Sequence, residues 1–269
     1  MNYPIFVDSL PKSGTHLLAR ALTMLPGIAH SGTHLERRSI ARFVDPDIDY
    51  PVEGREDIDI QNDIVWIERL LASIPSGQFL TAHMNYHPKT HAALKSLNYK
   101  ILVAIRDPRD VVLSWAEFIA KEETHLLYPF FKDTDLDYRI TCGIQGVTSE
   151  ITKTRPQPSI ARLVNWHLKW KTQANAFVVL FENLVGEKGG STRDRQRGVL
   201  EDLCKSLGAG CSADTIDSIC DSLFGGTYTF NRGVIGRWKE SFTDNHKALF
   251  KSQAGQLLID AGYETDFGW

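Results

Sequence analysis

The sequence predicts an α/β fold in which a mainly parallel sheet carries helices on both faces, and three observations predict it. Short apolar runs rich in β-branched residues, at 5–10, 79–83, 100–106 and 177–182, read as strands buried on both sides. Helical patterns at 15–25, 61–74, 88–97, 108–122 and 158–176 separate them, and such alternation is how parallel strands joined by crossover helices appear in sequence. The first strand also runs through a glycine-containing turn straight into a helix. That is the layout of an anion cradle at the carboxyl end of a strand.

Taken in order, IFVDSL (5–10) is the first strand, PKSGTH (11–16) the turn, and 15–25 the first helix. Residues 44–60 (VDPDIDYPVEGREDIDI) hold seven acidic residues against one arginine and read as part of a surface excursion over 30–60. FLTAH (79–83) is the second strand, and Pro88 interrupts any helix running back across it. KILVAIR (100–106) is the third strand; Asp107 suits an N-cap, Pro108 the first helical position, and Asp110 the positive end of the helix that follows. Residues 123–157 lack clear periodicity and read as a second excursion. FVVLFE (177–182) is the fourth strand, and 243–261 reads as a last helix packing back onto the body. No repeat or Ser/Gly linker divides the chain, so residues 1–269 form a single domain.

At 269 residues the chain can bury a sizeable core, and 42% hydrophobic with 23% charged residues is ordinary for a globular protein. A net charge of −3 gives no general attraction to nucleic acid or acidic membranes, so an anion site must be a local gathering of cations. No run approaches the roughly 20 apolar residues that span a bilayer. The N-terminus enters a strand by Pro4, which leaves no room for a leader. The cysteines, Cys142, Cys204, Cys211 and Cys220, show no CxxC pair and are expected reduced; the expected location is cytoplasmic.

Chemistry concentrates in four places. In Pro11-Lys12-Ser13-Gly14-Thr15, Gly14 lets backbone approach an anion, Lys12 supplies a point charge, and Thr15 a hydroxyl. The spacing is not the triphosphate loop GxxxxGK[ST], because the lysine precedes the only glycine by two residues. Taken alone, the loop equally fits a plain strand–turn–helix with a solvated lysine. Arg106 is delivered at the end of the third strand, with Ser114 two turns into the next helix. His83 ends the second strand on the same side of the sheet and suits a general base. Near the C-terminus runs Asn231-Arg232-Gly233-Val234-Ile235-Gly236-Arg237-Trp238-Lys239-Glu240-Ser241-Phe242.

Together these segments resemble the soluble sulfotransferases, a family with a P-loop NTPase-like architecture. The loop resembles the family's PKSGT[T/S], which binds the 5′-phosphosulfate of PAPS (3′-phosphoadenosine 5′-phosphosulfate). Arg106, Asp110 and Ser114 match RxxxDxxxS, and residues 231–242 match RKGxxGDWKxxF. The resemblance implies PAPS as sulfuryl donor and a small-molecule acceptor, with no metal. It further implies Lys12 and His83 as catalytic groups, and Ser13, Gly14, Thr15, His16, Arg106, Ser114, Phe181, Arg232 and Gly233 beside Lys12 at the donor.

The departures are Asn231 for an arginine, Arg237 for an aspartate, Thr81 for the lysine of a KTH motif, His16 for a threonine, and Leu17 for an adenine-stacking tryptophan. Phe181 stands in the place of a family tyrosine and is a candidate adenine contact. The excursions are expected to build the acceptor site, and Trp115, Phe118, Tyr86, Tyr128, Phe130 and Phe131 are candidates to wall it, although a helix stripe such as Trp115 and Phe118 reads more readily as core. The acidic stretch suggests an acceptor bearing a positive charge, an amine or guanidinium; a solvated loop is the plainer alternative. His83, His87 and His91 recur at four-residue intervals but are not expected to share a metal. A nucleotide-dependent kinase of related architecture, or a PAPS-binding protein without catalysis, are the competing readings. The family's C-terminal dimerisation pattern is not visible after Trp238, which leaves the oligomeric state open.

Overall fold

Five strands, β1 (Ile5–Ser9), β2 (Ala29–Leu35), β3 (Gln78–Ala82), β4 (Lys100–Ile105) and β5 (Ala176–Leu180), form one sheet in the order β2-β3-β1-β4-β5. Every neighbouring pair is parallel. The computed structural model describes residues 1–47, 60–152, 156–226 and 232–269. The helices, in order, are α1 (Thr15–Thr23), α2 (Arg37–Val44), α3 (Ile60–Ala72), α4 (Pro88–Ser96), α5 (Pro108–Phe118), α6 (Tyr128–Phe131) and α7 (Leu136–Gln145). There follow α8 (Ser149–Thr152), α9 (Ile160–Lys171), α10 (Phe181–Leu184), α11 (Arg193–Ser206), α12 (Ala213–Ser222), α13 (Trp238–Ser241) and α14 (Asp244–Ala261).

Strand periodicity sorts the core onto the two faces of the sheet. Ile5 and Val7 of β1, with Leu102 and Ala104 of β4, pack against α1, α11 and α12. Phe6, Leu80, Ile101 and Val103 point the other way, onto α3, α4 and Trp170 of α9. A further cluster joins α5, α7, α9 and α14 through Val112, Ile144, Val164 and Phe250. The chain leaves β1 toward the β2 edge and leaves β4 toward the β5 edge. The loops that follow these two adjacent strands therefore diverge and open a crevice, the usual ligand position in an open parallel sheet.

The structure corrects the sequence reading in three places. Residues 30–60 do not begin as an excursion: Ala29–Leu35 is an edge strand, and α2 follows it. β2 was illegible because AHSGTHL is polar, buried only at Leu35 on the sheet edge, and irregular in register between His30 and His34. The acidic stretch 44–60 falls mostly outside the described residues. Residues 123–157 contain α6, α7 and α8, with Leu127, Phe131 and Cys142 buried against Ile119. Phe131 is thus core, not an acceptor wall.

Cys204 and Cys211 form a disulfide, Cα–Cα 6.3 Å, while Cys142 and Cys220 are free. The expectation that all four cysteines are reduced is replaced, and with it one ground for the cytoplasmic location. Among the described residues, no helix is long and apolar enough to cross a membrane.

Candidate active site

The loop after β1 is shaped for an anion. Lys12 has φ 71° and Gly14 φ 97°, so left-handed residues flank Ser13 in a tight turn that delivers the chain to the start of α1. A side chain at Gly14 would also collide with Phe181, 2.7 Å from an ideal Cβ. No side chain caps α1, so the opening N–H groups of that helix are left for a ligand. Ser13 is buried at 1% exposure, its N–H donated to the Leu10 carbonyl at 3.0 Å and its hydroxyl without a partner among the described residues; Thr15 is tied to Ser9 by a 2.5 Å hydroxyl–hydroxyl contact.

Lys12 is half-buried, its Nζ 3.7 Å from the centre of the Phe118 ring. Burial and then the neighbouring Arg106 push its pKa down to about 8, against Glu122 and Glu117, which pull it up. His16 opens α1 on its exposed side; packing, then Lys12 and His30, hold its pKa below the ordinary value. Leu17 turns toward the core cluster beneath α1, which accounts for an aliphatic residue there.

Arg106 stands one residue past β4 and is 8% exposed. Its Nη1 donates to the Lys12 carbonyl at 3.3 Å and its Nη2 to the Val234 carbonyl at 3.2 Å. The guanidinium lies 4.2 Å over Phe181, which is itself buried and forms the floor under the arginine. Arg106 Nε is buried without a partner among the described residues, which is the mark of a donor awaiting an acceptor.

Asp110, one turn on, explains its place in the motif. Its Oδ2 accepts the Gly236 N–H at 2.7 Å and its Oδ1 the Trp238 N–H at 3.1 Å, so it anchors the C-terminal segment beside Arg106. Ser114 is half-buried two turns along α5, with no hydrogen bond to another site residue among those described. Gly233 adjoins Val234, the residue whose carbonyl Arg106 holds, and has φ 62°. Arg232 is exposed and is not brought into contact with Arg106. Arg237 pairs with Glu117 through both nitrogens, at 2.9 and 2.5 Å, so the change from aspartate is answered by a carboxylate on α5.

His83 stands one residue past β3. Its Nδ1 lies 2.8 Å from the Ser9 carbonyl, which only accepts, so Nδ1 carries the proton and Nε2 keeps its lone pair. Packing around the ring, then His34, with His167 and His16 behind, pushes its pKa well below 6.5, opposed by the Ser9 carbonyl. His83 is nevertheless exposed at the surface of the site, which tempers the cost of burial, so the direction of the shift carries the argument. His83 is a neutral imidazole at physiological pH.

Sequence reasoning missed His34. Its ring centre is 4.9 Å from that of His83, and its Nδ1 lies 2.9 Å from the hydroxyl of Thr81, the residue that replaces the family lysine. One signal was available: the tetrapeptide Ser-Gly-Thr-His occurs at 13–16 and again at 31–34. His87 and His91 are committed elsewhere, His87 capping α4 by accepting the Lys89 N–H and His91 bonded to Asn175. Among the described residues no cluster of three or more His, Cys, Asp or Glu is arranged to hold a metal.

A family model described as "Sulfotransferase domain" matches residues 3–182, which takes in the loop, His83, the Arg106–Ser114 segment and Phe181. No curated protein matches the chain in sequence. Among solved structures, a mouse sulfotransferase complexed with PAP is similar at TM-score 0.62 and 18% identity, over 98% of this chain and 89% of that one. Retinol dehydratase in a complex with retinol and PAP gives 0.58 and 16%, over 96% and 81%. A sulfotransferase from Alicyclobacillus acidocaldarius gives 0.51 and 18%, over 96% and 95%. At these identities the structural likeness establishes the fold.

Proposed function

The chain belongs to the sulfotransferase family, and from that premise we propose that it transfers the sulfuryl group of PAPS to a hydroxyl of a small-molecule acceptor. When bound, the donor supplies an activated sulfuryl group on a phosphate leaving group. The chain's own residues do the rest, by positioning and electrostatics.

The loop N–H groups and Lys12 face the phosphosulfate, and the Lys12 ammonium offsets negative charge on the bridging oxygen as its bond to sulfur breaks. Arg106, with Ser114 and Arg232, takes the 3′-phosphate, and the free Nε of Arg106 is the donor best placed to do so. Nε2 of His83 accepts the acceptor's hydroxyl proton as the new oxygen–sulfur bond forms. The products are a sulfated acceptor and 3′,5′-adenosine bisphosphate.

One observation carries this reading. His83 is anchored to the Ser9 carbonyl and Arg106 to the Lys12 carbonyl, so the base and the phosphate clamp hang on one short stretch of backbone, residues 9–12. Their separation is set by that loop, and a donor seated on it lies between them.

The test is incubation with PAPS and a panel of hydroxylated small molecules, followed by mass spectrometry for the gain of one sulfuryl group. His83→Ala should lower kcat by about 10²-fold or more. Undiminished turnover by that variant removes His83 as base, and sulfation equally rapid from adenosine 5′-phosphosulfate removes the arginine clamp. The acidic stretch 44–60 motivates the sharper form, a cationic acceptor. Acceptor binding that weakens with ionic strength supports it, and salt-independent binding sinks it.

A further inference from the structure

Behind His83 the sheet buries two ionisable side chains that the reaction does not consume. Asp8, in β1, is wholly buried, and its Oδ1 accepts the N–H of Met84, the residue after His83, at 2.8 Å. Its Oδ2 lies 3.6 Å from Nε2 of His167 on α9, which is 5% exposed. Neither of those two atoms has a hydrogen-bond partner among the described residues.

The other nitrogen of His167, Nδ1, is 3.0 Å from the Leu163 carbonyl. That oxygen only accepts, so Nδ1 holds a proton and Nε2 presents a lone pair toward Asp8. A carboxylate facing a lone pair in an apolar enclosure is repulsive on both sides. One proton between them removes the conflict, and closing the gap by a few tenths of an ångström brings the pair within hydrogen-bond reach.

We propose that Asp8 and His167 share a single proton as a neutral carboxylic acid–imidazole pair, and that this pair positions His83. The positioning role rests on the reading of His83 as general base. Asp8 fixes the backbone at Met84, and His167 borders Ser9, whose carbonyl orients the His83 ring. The two supports of the base are therefore both braced from beneath the sheet.

The neutral form follows from the surroundings. Charge separation in a site this buried needs additional donors and acceptors, and the pair has few: the Met84 and Ser9 backbone at Asp8, and the Leu163 and Ser9 backbone at His167. Arg106, Tyr263 and His167 line one small cavity. Burial raises the Asp8 pKa and lowers that of His167, so both partners favour their neutral forms. A neutral pair adds no net charge beneath the base, so neither the orientation nor the protonation of His83 changes with pH on its account.

The direct test is NMR of the full chain with ¹⁵N-labelled histidine from pH 5.5 to 8.5, with His167 assigned by His167→Gln. The expected result is a neutral, Nδ1-protonated ring that does not titrate. An imidazolium signal at His167 within that range overturns the proposal.

Kinetics supply the second test. Asp8→Ala should lower kcat about tenfold or more with the KM for PAPS within about twofold, by loss of positioning. Asp8→Asn should restore most of that loss, because its amide places an oxygen toward Met84 and an N–H where the shared proton sits. The amide keeps both hydrogen bonds, so a kcat for Asp8→Asn as low as for Asp8→Ala overturns the positioning role. Full turnover by His83→Ala overturns the base reading and the positioning role with it, while the His167 signal decides the state of the pair independently.

Discussion

Replacing Asp110 by Asn tests the 3′-phosphate clamp without touching a group that contacts the donor. Asp110 is 1% exposed and accepts the Gly236 and Trp238 N–H groups at 2.7 and 3.1 Å, with Arg106 Nη2 3.9 Å away. The amide keeps one acceptor oxygen and turns its own N–H toward the other backbone donor. One hydrogen bond to a charged acceptor is thereby lost, worth about 2 kcal/mol. If that bond holds the segment after Arg232 in place to receive the phosphate, the loss appears as roughly a 30-fold weaker Kd for 3′,5′-adenosine bisphosphate. Calorimetric titration measures it, with the melting temperature recorded to confirm folding. Adenosine 5′-phosphate, which lacks the 3′-phosphate, should bind the variant and the parent within about threefold, because its contacts lie on the loop after β1. Equal losses for both nucleotides, or none for either, would refute the reasoning.

Three further outcomes follow from the same site and its frame. Lys12 loses its proton as pH rises through about 8, so kcat/KM should fall above that value; His83, already neutral, should contribute no limb near pH 6.5, and a rate that climbs through pH 6.5 would contradict this. Arg237 and Glu117 are 13% and 14% exposed, and a double-mutant cycle with glutamine at each should show a coupling of about 1 kcal/mol in urea melts. Replacing Cys204 and Cys211 by serine opens a short covalent loop and should cost about 2 kcal/mol, read as a melting temperature lower by about 5 °C.

What the sequence made legible, and what it hid, follows from burial. β1, β3 and β4 are covered on both faces, so they must be apolar runs, and such runs are readable. Their carboxyl ends carry Lys12, His83 and Arg106, and it was the resemblance of the surrounding motifs that singled these three out as candidates. β2 lies on the sheet edge with only Leu35 of its seven residues buried, needs no apolar run, and hid His34 with it. Asp8 was in plain view inside an apolar strand; a run scored by its hydrophobic majority conceals its one buried acid. The replacement at Arg237 was visible, but its answer, Glu117, lies 120 residues away in the chain and becomes a neighbour only through the packing of α13 on α5.

The departures from the family pattern sort by charge. On the donor side Lys12, Arg106 and Arg237 gather around the loop after β1 and the C-terminal segment, and Asp110 and Glu117 hold the last two in place. Around His83 the partners are Ser9 and, one ring away, His34, itself bonded to Thr81. A lysine at position 81 would put an ammonium among these imidazoles and press the base toward a still weaker proton affinity. With threonine there, and with a neutral Asp8–His167 pair beneath, no ammonium at position 81 adds to the field at the base. The base then accepts a proton against less opposition, while the leaving oxygen keeps its cations. On that argument Thr81→Lys is no restoration in this chain: the gain it brings to the sulfuryl oxygens is set against a base made weaker by the same charge.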